Sequence, residues 1–303
     1  MERLRRIMDD LFDPELDRPF DITPPLAPHA PVVFNSPHSG AVYPLRFVAQ
    51  SCLDPLTLRR SEDAFVDDLF SAAPAAGASL MRALFPRALV DVNREPGEID
   101  PKMFESRLPF AVNSRSARVA AGLGTIPRIV ADSHLIYSRP LPVAEALYRI
   151  ERFYRPYHAA LRQLLRNVQR EFGFAVLIDC HSMPSGQLSR SSCPRADIVL
   201  GDRYGNSCNP ALTAFAESVL FRLGYRVARN RPYAGGYITE HYGHPAQHIH
   251  ALQIEINRSL YMDERHLVST EGYHRLKTDL TALVNMLSGF ARNDLEIPRL
   301  AAE

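Results

Sequence analysis

No charge of either sign predominates in this chain of 303 residues. Lys and Arg number 35 against 34 Asp and Glu, a formal net charge of +1. That balance offers no basic excess for nucleic acid or for an anionic membrane. Apolar residues make up 46% of the sequence, enough for a sizeable core, yet no run approaches the length of a membrane-spanning helix. The four cysteines, Cys52, Cys180, Cys193 and Cys208, lack CxxC spacing, so neither a disulfide framework nor a thiolate zinc knuckle is indicated. The first residues, MERLRRIMDDLFDPELD, are charged throughout and lack the apolar core of a signal peptide. A soluble protein in a reducing, cytoplasmic setting is expected. No internal repeat appears.

What is present centres on Phe174–Pro184, FAVLIDCHSMP. Ala175–Ile178 is an unbroken apolar run, long enough for a strand and too short for a helix. A strand apolar on both faces reads as the middle of a sheet covered by helices. At its end the character switches to Asp179, Cys180, His181 and Ser182. Open α/β sheets bind ligands just beyond the carboxyl ends of their strands, which is where His181 is expected.

Residues 1–30, mixed in charge and then rich in proline, read as a lead-in to one catalytic domain over 31–295. PVVFN (31–35) is a short strand running into the turn SPHSG, which carries His38. Ser61 reads as a helix N-cap, with Glu62 and Asp63 in the first turn, where acidic residues commonly offset the helix dipole. Strands are expected over 79–84 and 88–93, the second (ALVDVN) ending at Asn93-Arg94. The proline-punctuated segment 95–140 reads as irregular. Helical periodicity follows over 143–172, with Pro156 expected to kink or split it. Further strands are expected over 196–200 and 225–229. A helix capped by Asn209-Pro210 and closed by Gly224 lies between them. ALQIEIN (251–257) alternates with period two, placing Gln253, Glu255 and Asn257 on one face. A last helix runs from about 270 to 292. Alternating strands and helices imply an α/β fold with one sheet between helical layers.

Four strand ends thus carry polar groups suited to hydrolysis: His38, Asn93-Arg94, His181 and Glu255. Two imidazoles and a carboxylate are a common ligand set for catalytic zinc, with the fourth position left to water. A second carboxylate can move the water's proton, and an arginine fork suits a substrate carboxylate. The spacing has no local signature comparable to HExxH, and by itself it reaches only a possible metallohydrolase. For Glu255, alternation also allows an outward position on a half-exposed strand.

PHSG (37–40), SEDAFVDDLF (61–70), LVDVNREP (89–96), LIDCHSMPS (177–185), GGYITEHYG (235–243) and LQIEINRSLYM (252–262) resemble the N-formylglutamate amidohydrolase family. The resemblance covers about residues 31–290 and implies a relative of the zinc carboxypeptidases and aspartoacylases. The fold it implies is a three-layer sandwich with a mixed, mostly parallel central sheet flanked by helices. It implies one zinc ion per chain held by His38 and His181, with Glu255 as general base. Asn93 and Arg94 would hold the substrate's carboxylate, with Arg258 as an alternative clamp or an exposed ion-pair partner. Zinc carboxypeptidases place their acidic ligand three residues after the first histidine, where this chain has Ala41. The third ligand must then come from elsewhere, and Asp63 is taken over Glu62.

The expected activity is zinc-dependent hydrolysis of N-formyl-L-glutamate to formate and glutamate, a step of histidine degradation in that family. The substrate is a small N-acyl amino acid; no nucleic-acid or membrane partner is expected. A related deacylase or carboxypeptidase with another substrate is the nearest alternative. A non-catalytic anion-binding protein using Arg94, Arg229 and Arg258 is the alternative of another class. A phosphate cradle at GDRYGNS (201–207) lacks the Gly-Lys pairing of a P-loop.

Overall fold

The computed structural model describes residues 11–26, 30–186 and 196–295. Cys193 and part of the expected lead-in lie outside the described residues. Among the described residues seven strands form one sheet: β1 (Phe20–Thr23), β2 (Val32–Ser36), β3 (Ser79–Ala83), β4 (Ala175–Met183), β5 (Ile198–Gly201), β6 (Val227–Arg229) and β7 (Ile249–Asn257). Their spatial order is β1-β3-β2-β4-β7-β5-β6. The strand expected from the apolar run is central β4, and all nine of its residues are buried. It is parallel to β2 on one side and to β7 on the other. β5 runs antiparallel to β7 and parallel to β6, so the sheet is mixed and mostly parallel. Each fully buried Val, Leu or Ile of β4 contributes roughly 1.5–3 kcal/mol.

Among the helices are α1 (Val66–Leu69), α2 (Val143–Arg149), α3 (Arg155–Phe172), α4 (Pro210–Arg222), α5 (Tyr237–Tyr242) and α6 (Gly272–Asn293). The Asn209 side chain accepts from the Ala211 amide at 2.9 Å and caps α4, and Gly224 at φ +92° follows its end. α6 buries Leu276, Leu280, Leu283 and Leu287 along one stripe and stacks Phe290 on Phe215 of α4 at 4.1 Å. The molecule is therefore an α/β sandwich with its sheet flanked by helices. Among the described residues no helix is long and apolar enough to cross a membrane.

Two expectations about elements are corrected. Ser61 does not cap a helix. Phe65 sits at φ +67°, in the left-handed region, so α1 starts only at Val66. Glu62 and Asp63 therefore lie ahead of it as buried residues and offset no first-turn dipole. Residues 88–93 form no strand. The amides of Leu89 and Val90 turn back to the Pro86 carbonyl, and the Asp91 amide reaches Thr125. The V-D-V alternation reflects side chains buried in an irregular segment, not a ladder. Pro156 does interrupt the long helix. A π-helical turn, Ile150–Tyr154, separates α2 from α3 just before it.

The chain forms two compact units. One comprises Met1–Asp21, Pro37–Ala64 and Arg82–Ala160. It is poor in regular structure and is organised around fully buried Arg149. That guanidinium donates to Glu145 at 3.2 Å, the Tyr137 hydroxyl at 2.6 Å, Gln50 at 3.0 Å and the Leu89 carbonyl at 3.3 Å. Glu145 also pairs with Arg46. Burial opposes its ionisation, but Arg149 and Arg46 outweigh that and draw its carboxyl below the usual range. The other unit comprises Ile22–Ser36, Phe65–Met81 and Leu161–Glu303, and holds β2, β4, β5, β6 and β7 entire.

Candidate active site

Polar side chains inside a buried strand need partners, and those of β4 have them. Asp179 accepts from the Asn35 amide of β2 at 2.8 Å through one oxygen and meets His181 Nε2 at 2.9 Å through the other. A carboxylate on Nε2 fixes the proton there and puts the ring's lone pair on Nδ1. His181 lies within the strand rather than beyond its end, because β4 continues to Met183. Cys180 alternates to the opposite face. Burial and the Asp179 carboxylate push its thiol well up, so it stays protonated and is no nucleophile.

On β7 the residue paired with His181 is Glu255, and the one paired with Asp179 is Gln253. Glu255 is not on a half-exposed strand. It is 7% exposed, on a strand that lies inside the sheet between β4 and β5. The polar alternation of LQIEIN thus marks a buried polar face. The Gln253 amide oxygen accepts from the Gly236 N–H at 2.7 Å and from the Thr239 hydroxyl at 3.4 Å, so its nitrogen points to Glu255 and donates at 2.9 Å. GGYITEHYG thereby gains a physical reason. Gly235 takes φ +117°, and a Cβ there would meet Thr239 at 3.0 Å. Arg258 is buried at the end of β7 and donates from Nε to Ser182 at 3.0 Å, which replaces the exposed ion pair considered from sequence.

In the other unit, Gly40 of PHSG lies so close to the chain that a Cβ would be 2.1 Å from the Phe85 carbonyl oxygen. His38 is buried, with Nε2 at 2.8 Å from Asp91 and Nδ1 at 3.4 Å from Asp63. The Asp63 amide donates to the His38 carbonyl at 2.9 Å. Glu62 turns elsewhere, meeting Arg59 Nε at 2.9 Å and Nη2 at 3.1 Å. Asp91 also receives Arg87 Nε at 2.9 Å and the Asn93 amide at 2.8 Å. Its burial favours the neutral acid, but Arg94, Arg87 and His38 outweigh burial and hold its carboxyl well below the usual range. Arg94 is anchored by Nε to the Leu123 carbonyl at 2.9 Å and by Nη1 to the Asn93 carbonyl at 2.8 Å.

His38, Asp63 and His181 are all buried, and their ligand atoms lie within 4.8 Å of one another. This group can bind a metal ion, and its donors fit zinc: two neutral imidazoles, each oriented by a carboxylate, and one carboxylate oxygen. Asp91, Asp179 and Gln253 were not among the residues expected to serve the site. The signal available for Asp91 and Asp179 was their place in the motifs DVNR and DCH, which gives them no role by itself; Gln253 had only its place on the Glu255 face. Two sequence alternatives lose support. Arg229 is committed to an ion pair with Glu217. In the loop after β5, the Gly205 N–H donates to Asp202 at 2.9 Å, a carboxylate of the chain itself.

Residues 30–262 match the model of the N-formylglutamate amidohydrolase family. A Pseudomonas aeruginosa protein named N-formylglutamate deformylase is 31% identical over 239 residues, 78% of this chain and 83% of its own length. Its namesake from Pseudomonas putida is also 31% identical, over 240 residues, 77% and 82% of the two chains. The crystal structure of N-formylglutamate amidohydrolase from Ralstonia eutropha JMP134 matches with a TM-score of 0.87 and 40% identity, covering 91% of this chain and 99% of that one. A gene product of Agrobacterium tumefaciens, 17% identical with a TM-score of 0.64, shares the fold; the match covers 90% of this chain and 94% of that one.

Proposed function

Since this chain belongs to the N-formylglutamate amidohydrolase family and is an amide hydrolase, we propose that it cleaves N-formyl-L-glutamate to formate and L-glutamate with one zinc ion. The observation that carries this reading is the buried donor set of His38, Asp63 and His181. Residues 31–295 would act as one catalytic domain. The zinc ion, when bound, supplies Lewis-acid polarisation of the formyl carbonyl and acidifies water to a pKa of roughly 7.

The remaining steps fall to the chain. Asp91 and Asp179 orient the two imidazoles so that Nδ1 of each is the ligating nitrogen. Glu255, steadied by the Gln253 N–H, takes a proton from the attacking water and returns it to the departing amine of glutamate. Arg94, with Asn93 beside it, holds a substrate carboxylate through a charge-assisted pair. Arg258 is the alternative clamp for that carboxylate.

The test is metal analysis of the purified protein together with rates on N-formyl, N-acetyl and peptide substrates. One zinc per chain and fastest turnover of N-formylglutamate are expected. Full activity in protein stripped of zinc, or a preference for N-acetyl or peptide substrates, overturns the reading.

A further inference from the structure

Three consecutive carbonyls around Asn93 are each taken by a side chain. The Val92 carbonyl accepts from His158 Nε2 at 2.9 Å, and the Asn93 carbonyl from Arg94's own guanidinium at 2.8 Å. The Arg94 carbonyl accepts from the Tyr154 hydroxyl at 2.7 Å. A carbonyl only accepts, so His158 carries its proton on Nε2. Tyr154 closes the π-helical turn and His158 lies one helical turn further on, in α3. Their rings are 4.4 Å apart, and both residues are buried.

A buried irregular segment needs its carbonyls satisfied whatever its role, so these bonds alone would describe a scaffold. Their position says more. They grip the main chain on both sides of Asn93 and at Arg94 itself, the pair expected to meet the substrate's carboxylate. The guanidinium is held at Nε and Nη1, and among the described residues no hydrogen bond uses Nη2. The π turn is the device that brings Tyr154 into register. A wider turn ahead of Pro156, which lacks an N–H, shifts the helix face by a fraction of a turn relative to a regular helix.

We infer that Tyr154 and His158 are positioning residues for carboxylate recognition: they fix the main chain at 92–94 and so preorganise the Arg94 guanidinium for an acidic N-acyl substrate. This rests on the role proposed above for Arg94. Preorganisation acts on binding of the charged group and leaves the chemistry at the amide alone. A lost neutral hydrogen bond to a main-chain carbonyl should therefore appear as about a five- to tenfold rise in KM for N-formylglutamate.

The experiment compares kcat and KM for N-formylglutamate and for an uncharged N-formyl amino-acid amide in Tyr154→Phe, His158→Leu, His158→Gln and Arg94→Ala. Tyr154→Phe and His158→Leu should raise KM for the charged substrate, with kcat within about twofold, and lower the ratio of specificity constants five- to tenfold. His158→Gln keeps an N–H donor at the right reach and should restore the ratio. Tyr154→Phe keeps the ring and its packing, so it tests the idea even if His158→Leu fails to fold. Equal losses on both substrates, or a lowered melting temperature with an unchanged ratio, overturn the inference. If Arg94→Ala collapses the ratio while Tyr154→Phe leaves it intact, only the positioning role is wrong. If Arg94→Ala leaves the ratio unchanged, the role of Arg94 falls and the inference with it.

Discussion

Asp63 and Glu62 are neighbours in sequence, and their surroundings separate them. Glu62 is held by both sides of the Arg59 fork, whereas Asp63 faces the Nδ1 of His38. Asp63→Ala should therefore lose bound zinc, and Glu62→Ala should retain it, as read by metal content after dialysis. The reverse pattern would move the third ligand to Glu62. Glu255 permits a test of comparable sharpness. Replacing it with Gln keeps shape and removes only the basic group, so zinc and substrate binding should survive while kcat falls roughly 10²–10⁴-fold. Turnover within a few-fold of the parent would take the proton away from Glu255. The roles of Asp91 and Asp179 were not legible in the sequence for a physical reason. A residue that orients a ligand has no periodicity or spacing of its own, and only the fold brings its oxygen to the ring.

At the scale of elements, the irregular unit depends on one buried cation. Arg149 joins α2 to the Leu89 carbonyl and to Tyr137 and Gln50. Removing it leaves Glu145 as a buried charge whose remaining partners are partly exposed Arg46 and the neutral Gln50 amide, so Arg149→Ala should cost about 3–5 kcal/mol in urea unfolding. A cost below about 1 kcal/mol would mean that water replaces the guanidinium. Folding lowers the Glu145 pKa. Its contribution is therefore fully present above the unfolded value of about 4.3 and is lost as pH falls through the lower folded one. Some elements were legible and others were not. β4 was, because the unbroken apolar run Ala175–Ile178 suits a buried strand; its continuation through polar Asp179 and His181 to Met183 was not. Residues 88–93 were misread, because V-D-V alternation also arises where a turn buries every side chain. The start of α1 was misread because Ser-Glu-Asp is good capping chemistry, and only the left-handed Phe65 reveals that the helix begins later.

For the molecule as a whole, the α/β class followed from the alternation of elements, and the mixed sheet order with antiparallel β5 did not. Pairing partners distant in sequence are chosen by packing, which a single strand's pattern does not encode. The donors of the proposed metal site likewise come from three distant segments, so the ion should bind the folded chain and not the unfolded one. Zinc at a hundredfold excess over its dissociation constant then contributes about 2.7 kcal/mol of stability. Chelation should lower the melting temperature by on the order of 5 °C, and added zinc should restore it. An unchanged melting temperature in protein shown to have lost its zinc would argue against a site built on those three buried residues.

The Gln253 amide has a direction. Its oxygen is engaged by Gly236 and Thr239, so its nitrogen is left for Glu255. Reversing the amide would set oxygen against carboxylate at one end and N–H against N–H at the other. A mutation that removes the Thr239 hydroxyl, or places a side chain at Gly235, disturbs the same amide from its far end. These positions are therefore not independent under mutation. Across the descendants of a common ancestor, residues 235, 239, 253 and 255 should change together, as a covarying set, with single replacements purged.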